Sequence, residues 1–181
     1  MATLLTHAVV GAALGQAAAW PARGDVRFWC AAVFCSLLPD VDVIGFRLGI
    51  PYGDLWGHRG IMHSLLFAAL AGVLFGALLG KSALERAKLS LLLFVITASH
   101  GFLDAMTDGG LGVAFFSPFD TARYFLPWRP IHVSPIGVHS AFSARIIRVL
   151  WSEIRSVWPI ALLLGLVLRL VSARQRPLAA A

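Results

Sequence analysis

Charged residues are scarce in this chain: Asp, Glu, Lys and Arg make up 13% of its 181 residues, whereas 59% are hydrophobic. Soluble domains of this size normally have about 25% charged residues, so the deficit argues against an ordinary water-soluble fold. The mean hydropathy of +0.80 instead indicates an integral membrane protein. A helix bundle with four to five transmembrane spans would use most of this length, and we expect one domain covering residues 1–181.

Several motifs that define common enzyme classes are missing. The two cysteines, Cys30 and Cys35, lie in one apolar run, which excludes a disulfide framework. There is no glycine-rich phosphate loop, nucleophile elbow or Cys-x-x-Cys pair. The formal net charge of +6 comes from Lys and Arg residues spread over loops and segment ends. This spread favours anionic lipid head groups over nucleic acid as the partner.

Apolar runs divide the chain into helical spans. The predicted spans are residues 4–20, 28–46, 61–80 and 89–106, with a shorter fifth span at 157–171. Pro39 is expected to kink or end the second span. The first run has no preceding Lys or Arg, so we interpret it as a retained helix and not as a signal peptide. Lys and Arg divide eight to seven between the two sides, which leaves the orientation open.

The region 111–156 is the least regular part of the chain, with four prolines and several aromatic residues. We expect an interfacial segment here. Within it, residues 140–153 are predicted to form an amphipathic helix along the membrane, with Arg145, Arg148 and Arg155 at its polar side or end.

Imidazoles and carboxylates recur at the same ends of the predicted spans. In an up-and-down bundle, seven of them would meet at one membrane face: His7, Asp40, Asp42, His58, His63, His100 and Asp104. An ionisable group in a membrane segment costs several kcal/mol unless it pairs, binds an ion or reaches water. The pattern therefore predicts a site that binds one or more divalent metal ions.

Each motif also allows a simpler interpretation. His100 and Asp104 are four residues apart and therefore lie on one helix face. They could ligate a metal ion together, or they could simply form a hydrogen bond with each other. Asp40 and Asp42 repel each other unless a cation neutralises them, although one carboxylate capping a helix and one solvated carboxylate would also fit.

The segment Gly57-His58-Arg59-Gly60 precedes the third span, which His63 begins. Gly60 allows both histidines to converge on one centre or to serve two adjacent metals. The planar guanidinium group of Arg59 is suited to binding a phosphate or carboxylate. An arginine at a membrane interface can also extend its charged end toward water without binding any ligand.

These considerations assign a role to each residue. The predicted metal ligands are His7, Asp40, His58, His100 and Asp104. The predicted catalytic residues are Asp42, Arg59 and His63, and the predicted substrate contacts are Arg59, His132 and His139. Without an evident activated Ser or Cys, hydrolysis by metal-activated water is the simplest mechanism.

Taken together, the motifs resemble the YdjM-type family of bacterial inner-membrane metal-dependent hydrolases, whose founding member is under LexA control. The matching elements lie within residues 1–110: Thr6-His7 with Gly11, Leu38-Pro39-Asp40-Val41-Asp42, His58-Arg59-Gly60 through His63-Ser64, and His100-Gly101-Phe102-Leu103-Asp104. More distantly, the order of motifs is similar to the zinc-dependent phospholipase C superfamily. This second resemblance implies zinc and phosphodiester or phospholipid hydrolysis.

The leading hypothesis is therefore a multi-pass protein of the bacterial inner membrane that hydrolyses a phosphoester or ester of a lipid or lipid-linked substrate. The site would lie at one membrane interface. Two other classes stay open: a small metal or proton transporter that uses the same polar groups as an ion path, and a structural membrane protein whose polar groups only hold helices together.

Overall fold

The computed structural model describes residues 1–18, 22–136 and 144–173, and in this part of the chain the regular secondary structure is helical apart from two isolated β-bridges. Its helices are α1 (Leu4–Gly15), α2 (Val26–Leu37), α3 (Ile44–Arg47), α4 (Leu65–Leu79), α5 (Ala83–Ala105), α6 (Ala144–Ser156) and α7 (Trp158–Ala173). Short 3-10 turns cover Ala22–Gly24, Leu38–Val43 and Ile61–His63. The predicted all-α class is confirmed.

Side-chain caps and one proline determine where these helices begin and end. Thr3, Asp25, Ser64 and Ser82 each accept a hydrogen bond from a backbone N–H in the first turn of α1, α2, α4 and α5. Pro39 follows the end of α2, and the backbone continues as a 3-10 turn. The expectation that Pro39 ends the regular part of the second span is confirmed.

The structure supports two to three candidate membrane spans, fewer than the four to five predicted. Among the described residues, the continuous helical stretches Val26–Arg47 and Ala83–Ala105 are long and apolar enough to cross a membrane. The pair α6 and α7, bent by 44°, would provide a third. With 12 and 15 residues, α1 and α4 reach only about 18 and 22 Å at 1.5 Å per residue. A hydrocarbon core is about 30 Å thick.

Small residues allow the helices to pack closely. A Cβ added at Gly72 of α4 would lie 2.6 Å from the Ser90 carbonyl oxygen of α5, and Gly76 leaves equally little room against the Ser90 backbone. Gly11 of α1 faces Ser36 of α2 in the same way. Close backbone approach is how helices gain contact where lipid tails are as apolar as the side chains.

One end of the bundle is covered by the irregular segment 106–136. This segment is held to the helices by backbone hydrogen bonds from Leu65 to Phe115, from Ala114 to Arg59 and from Leu126 to Ala105. Its two β-bridges join Thr107 to Ile131 and Val113 to Tyr124. The predicted irregular region is therefore found over its described part. The amphipathic helix predicted at 140–153 corresponds to α6, Ala144–Ser156, and residues 140–143 lie outside the described residues.

Candidate metal centre

Four helix ends bring the predicted ligands to one place. His7 comes from the first turns of α1, and Asp40 and Asp42 come from the 3-10 turn after α2. His63 ends the turn before α4, His100 and Asp104 belong to the last turns of α5, and His58 lies in the loop between α3 and that turn. All seven side chains are buried, with at most 5% of their surface exposed.

The loop that carries His58 is built tightly. A Cβ at Gly57 would collide with the Pro51 carbonyl, and one at Gly60 would collide with the Leu55 carbonyl. Between them, Arg59 adopts a φ of 62°, a left-handed conformation that costs a non-glycine residue roughly 1–3 kcal/mol. These features turn His58 and Arg59 inward toward the carboxylates.

Asp40, His63, His100 and Asp104 form the first group of candidate ligands, with one donor atom from each within 4.8 Å of the others. His100 Nε2 and His63 Nε2 lie 3.4 and 3.8 Å from Asp40 Oδ1, and His63 Nε2 lies 3.6 Å from Asp104 Oδ2. Two ligands of one tetrahedral zinc ion lie about 3.3 Å apart when each bond is about 2.0–2.1 Å. The spacing is therefore close to that of atoms sharing a cation.

The hydrogen bond of His100 defines which ring nitrogen carries the proton. Its Nδ1 lies 2.8 Å from the Ser36 carbonyl oxygen, which can only accept, so Nδ1 is the donor. In the neutral ring, Nε2 then carries a lone pair and faces Asp40 Oδ1, which is also an acceptor. A ring nitrogen fixed by a backbone carbonyl on its other side is the usual arrangement of a metal-ligating histidine.

Asp42, His58 and His63 form a second group. Asp42 Oδ1 accepts a hydrogen bond from His58 Nδ1 at 2.7 Å, and Asp42 Oδ2 accepts one from the Arg59 backbone N–H at 3.0 Å. His63 Nδ1 lies 3.0 Å from Asp42 Oδ2. Asp42 therefore orients the two histidines, and the Nε2 atom of His58 has no hydrogen-bond partner.

His7 faces the same cluster but belongs to neither group of ligand atoms. Its ring stacks on His100 with centroids 3.6 Å apart and an interplanar angle of 10°. Its Nε2 lies 3.5 Å from Asp104 Oδ1, and neither of its ring nitrogens has a hydrogen-bond partner.

Arg59 is fully buried, and all three of its side-chain nitrogens donate to the protein. Nε donates to Asp104 Oδ2 at 2.9 Å, and the two terminal nitrogens donate to the Gly109 carbonyl and the Thr107 hydroxyl. The structure thus places Arg59 as the partner of Asp104. Within the described part of the chain it is neither a snorkelling surface residue nor an exposed anchor for substrate.

The charges of the centre do not balance without further positive charge. Asp40, Asp42 and Asp104 carry three negative charges against at most two positive ones, those of Arg59 and of the N-terminal ammonium of Met1, which leaves a difference of −1. Burial opposes the charged form of His63, but the neighbouring carboxylates of Asp104 and Asp42 outweigh this effect and raise its pKa to about 9. The carboxylates therefore attract a cation to this ring, either a proton or a metal ion.

Of the two histidines predicted as substrate contacts, His132 is not part of this cluster. His132 has an exposed side chain whose Nδ1 lies 2.7 Å from Asp108 Oδ2. The hydrogen bond from His132 contributes to lowering the pKa of Asp108, against the opposing effect of desolvation. His139 lies outside the described residues.

Two residues that support the centre were not predicted. Glu153 of α6 is fully buried and accepts hydrogen bonds from the Thr3 backbone and from the hydroxyls of Thr3 and Thr6, next to His7. Arg123 donates to the carbonyls of His58, Tyr52 and Asp54 and holds the loop that carries His58. Glu153 is the only acidic residue of α6 and lies among arginines, and this was the one available indication of its role.

The fold and the centre define a helical membrane protein with a buried cluster of histidine and aspartate suited to a metal ion. The chain belongs to the YdjM inner membrane protein family, whose model matches residues 1–176. It is similar to the inner membrane protein YbcI of Escherichia coli (strain K12), with 36% identity over 175 residues that cover 92% of this chain and 97% of that protein. These findings agree with the predicted inner-membrane location.

No solved structure matches the chain. The family description and the relative's name refer to the inner membrane and to no reaction. The predicted likeness to the zinc-dependent phospholipase C superfamily is not among these findings.

Proposed function

We propose that this protein is a membrane-bound, metal-dependent hydrolase that cleaves a phosphoester or ester of a lipid or lipid-linked substrate. The observation that supports the proposal is the set of unpaired polar atoms in the cluster. Eight of the nine buried side-chain atoms without a hydrogen-bond partner, within the described part of the chain, belong to His7, Asp40, His58, His63 and His100. Native proteins rarely leave such atoms unpaired unless an ion or water satisfies them.

Asp40, His63, His100 and Asp104 would hold one divalent cation, and His58 with His63 would contribute to a second. Imidazole and carboxylate donors suit zinc, and also suit manganese or iron. When bound, such a cation lowers the pKa of water toward neutrality and polarises a substrate oxygen.

The remaining residues of the cluster would position these ligands and move a proton. Asp42 holds His58 in one tautomer, and Arg59 balances the charge of Asp104. His7 has two free ring nitrogens beside Asp104 and is the group we assign to accept the proton of the attacking water.

An ion conduit fits the structure less well than a closed site. Beyond the cluster, Phe28, Ala32, Cys35, Leu89, Leu93 and Ile96 form a buried apolar core between α2 and α5, and the hydroxyl of the buried Thr97 donates to the Leu93 carbonyl. A path for ions would need polar groups along its length, because an unpaired ion in an apolar interior is strongly disfavoured. The cluster occupies one end of the bundle, where a lipid head group would be presented.

Elemental analysis of the purified full chain tests the proposal. We expect stoichiometric zinc, manganese or iron in the wild type and its loss in His100→Ala. The variant His132→Ala is the matched control, since it removes an exposed histidine outside the cluster. In parallel, the wild type loaded with the ion should hydrolyse bis(p-nitrophenyl) phosphate or a phospholipid, and His100→Ala should not. A folded wild type that holds no divalent ion would contradict the proposal.

A further inference from the structure

Helix α6 presents three different faces. Val149 and Glu153 are buried against the rest of the protein. Ile147, Trp151 and Ile154 form an apolar stripe that is exposed, with 68, 59 and 38% of their surface accessible. Arg145, Arg148 and Arg155 are also exposed. At 100° per residue, these arginines lie between the buried face and the apolar stripe.

The buried face of α6 connects it directly to the metal centre. Glu153 binds Thr3 and Thr6, which flank the start of the helix that carries His7. Ser152, the residue before Glu153, accepts a hydrogen bond through its hydroxyl from the His132 backbone N–H. Helix α6 therefore lies over the end of the bundle where the cluster is found, and a 44° bend separates its direction from that of α7.

The arginines of α6 lack acidic partners. Among the described residues, no carboxylate lies within ion-pair distance of Arg145, Arg148 or Arg155, and Arg155 instead rests 5.8 Å from the ring of Trp151. An apolar stripe with a tryptophan beside a row of arginines matches the boundary between acyl chains and anionic head groups.

We propose that the outer surface of α6 binds the head group of an anionic phospholipid and so presents a negatively charged lipid to the metal centre. The apolar stripe would enter the acyl region, and the three arginines would meet the phosphate and its neighbours at the head-group level. That this lipid is the substrate rests on the proposed function. That it binds at α6 rests only on the exposed residues of the helix.

Lipid binding to the detergent-solubilised full chain, measured by native mass spectrometry, tests this inference. The probes are phosphatidylglycerol and phosphatidylcholine. The variant Arg145→Gln, Arg148→Gln, Arg155→Gln should bind phosphatidylglycerol at least about tenfold more weakly than the wild type. The same three positions changed to Lys should retain most of the binding, because a positive charge remains. The matched control, Arg27→Gln, Lys81→Gln, Lys88→Gln, removes equal charge at the opposite end of the bundle.

Equal affinity of the wild type and the Gln variant for phosphatidylglycerol would overturn the inference. So would equal binding of phosphatidylcholine and phosphatidylglycerol to the wild type. Metal content is measured on the same samples and separates the two proposals. A wild type without metal whose lipid binding still depends on the α6 arginines would contradict the hydrolase and support the lipid site on α6. A metal-loaded, active protein whose lipid binding does not depend on the α6 arginines would support the hydrolase and contradict the lipid site on α6.

Discussion

Asp42 uses both of its carboxylate oxygens to organise the centre, one for His58 and one for the Arg59 backbone. His100 is fixed in the same manner by the Ser36 carbonyl. At the scale of single residues, the site thus consists of donors that could bind an ion and surrounding residues that determine how those donors are oriented. Changes in the surrounding residues should weaken the site without unfolding the protein.

Asp42→Asn tests this distinction. The amide offers one oxygen where the carboxylate offers two, so either His58 Nδ1 or the Arg59 N–H loses its acceptor. We expect metal affinity to fall roughly 10–100-fold, measured by competition with a chromogenic chelator. Asp120→Asn, at an exposed carboxylate bound to Ala122 and Tyr124, should leave the affinity unchanged. Unaltered affinity in Asp42→Asn would remove Asp42 from the site.

Arg59→Gln tests how much the buried ion pair between Arg59 and Asp104 contributes to stability. Without the guanidinium, Asp104 stays buried with an uncompensated charge, and we expect the free energy of unfolding to fall by about 3–5 kcal/mol. Denaturation of the metal-free protein in detergent measures this change. Arg27→Gln, which breaks an exposed ion pair with Asp25, should have no measurable effect. Similar stability of both variants would contradict the role given to Arg59.

The sequence was sufficient to single out the seven side chains that meet at this centre, because carboxylates and imidazoles cost free energy within apolar runs. It did not assign their places: His63, predicted to be catalytic, belongs to both groups of candidate ligands, and His7, predicted to be a ligand, belongs to neither. It could not reveal their partners. Arg59 has the same appearance in a sequence whether it snorkels or is buried against Asp104, 45 residues away. Glu153 binds Thr3 across 150 residues, and no local pattern records such a contact.

At the scale of helices, the site depends on the distance between α4 and α5. The turn before α4 carries His63, and the end of α5 carries His100 and Asp104. Gly72 and Gly76 allow the two helices to approach until their backbones touch. The helix pair therefore controls both stability and the spacing of the ligands.

Gly76→Ala should separate these helices. The added Cβ would meet the Ser90 backbone, which cannot move aside as a flexible side chain would. We expect a loss of about 1–3 kcal/mol in stability together with weaker metal binding, measured by thermal unfolding and metal titration. Ala77→Leu, on the exposed face of the same helix, should change neither property. Wild-type metal affinity in Gly76→Ala would show that helix spacing does not determine the site.

Helix lengths were the least predictable feature of the fold. Hydrophobic runs of about twenty residues suggested full spans, yet Ser64 caps α4 and leaves Ile61–His63 as a separate turn. Helix α1 likewise ends at Gly15. Hydropathy measures where a chain is apolar, and hydrogen bonds at the caps decide how much of that length becomes one helix.

For the whole molecule, an ion held by Asp40, His63, His100 and Asp104 should link the end of α2, the turn before α4 and the end of α5. A ligand that binds only the folded protein stabilises it by about 2.7 kcal/mol when its concentration is 100 times its Kd. Removal of the metal with a chelator should therefore lower the Tm of the wild type, as measured by differential scanning fluorimetry in detergent. The chelator should not affect Asp40→Asn, which lacks a ligand. An unchanged Tm in the chelated wild type would contradict the link.

The contact between Glu153 and the start of α1 also has a consequence for how the protein is made. The first side chain of the cluster is His7 and the last is Asp104, whereas the carboxylate that anchors α1 follows only at residue 153. A ribosome must therefore synthesise most of the chain before the N-terminal helix is locked in place. The packing of His7 on His100 is consequently secured late in biogenesis, after synthesis of α6.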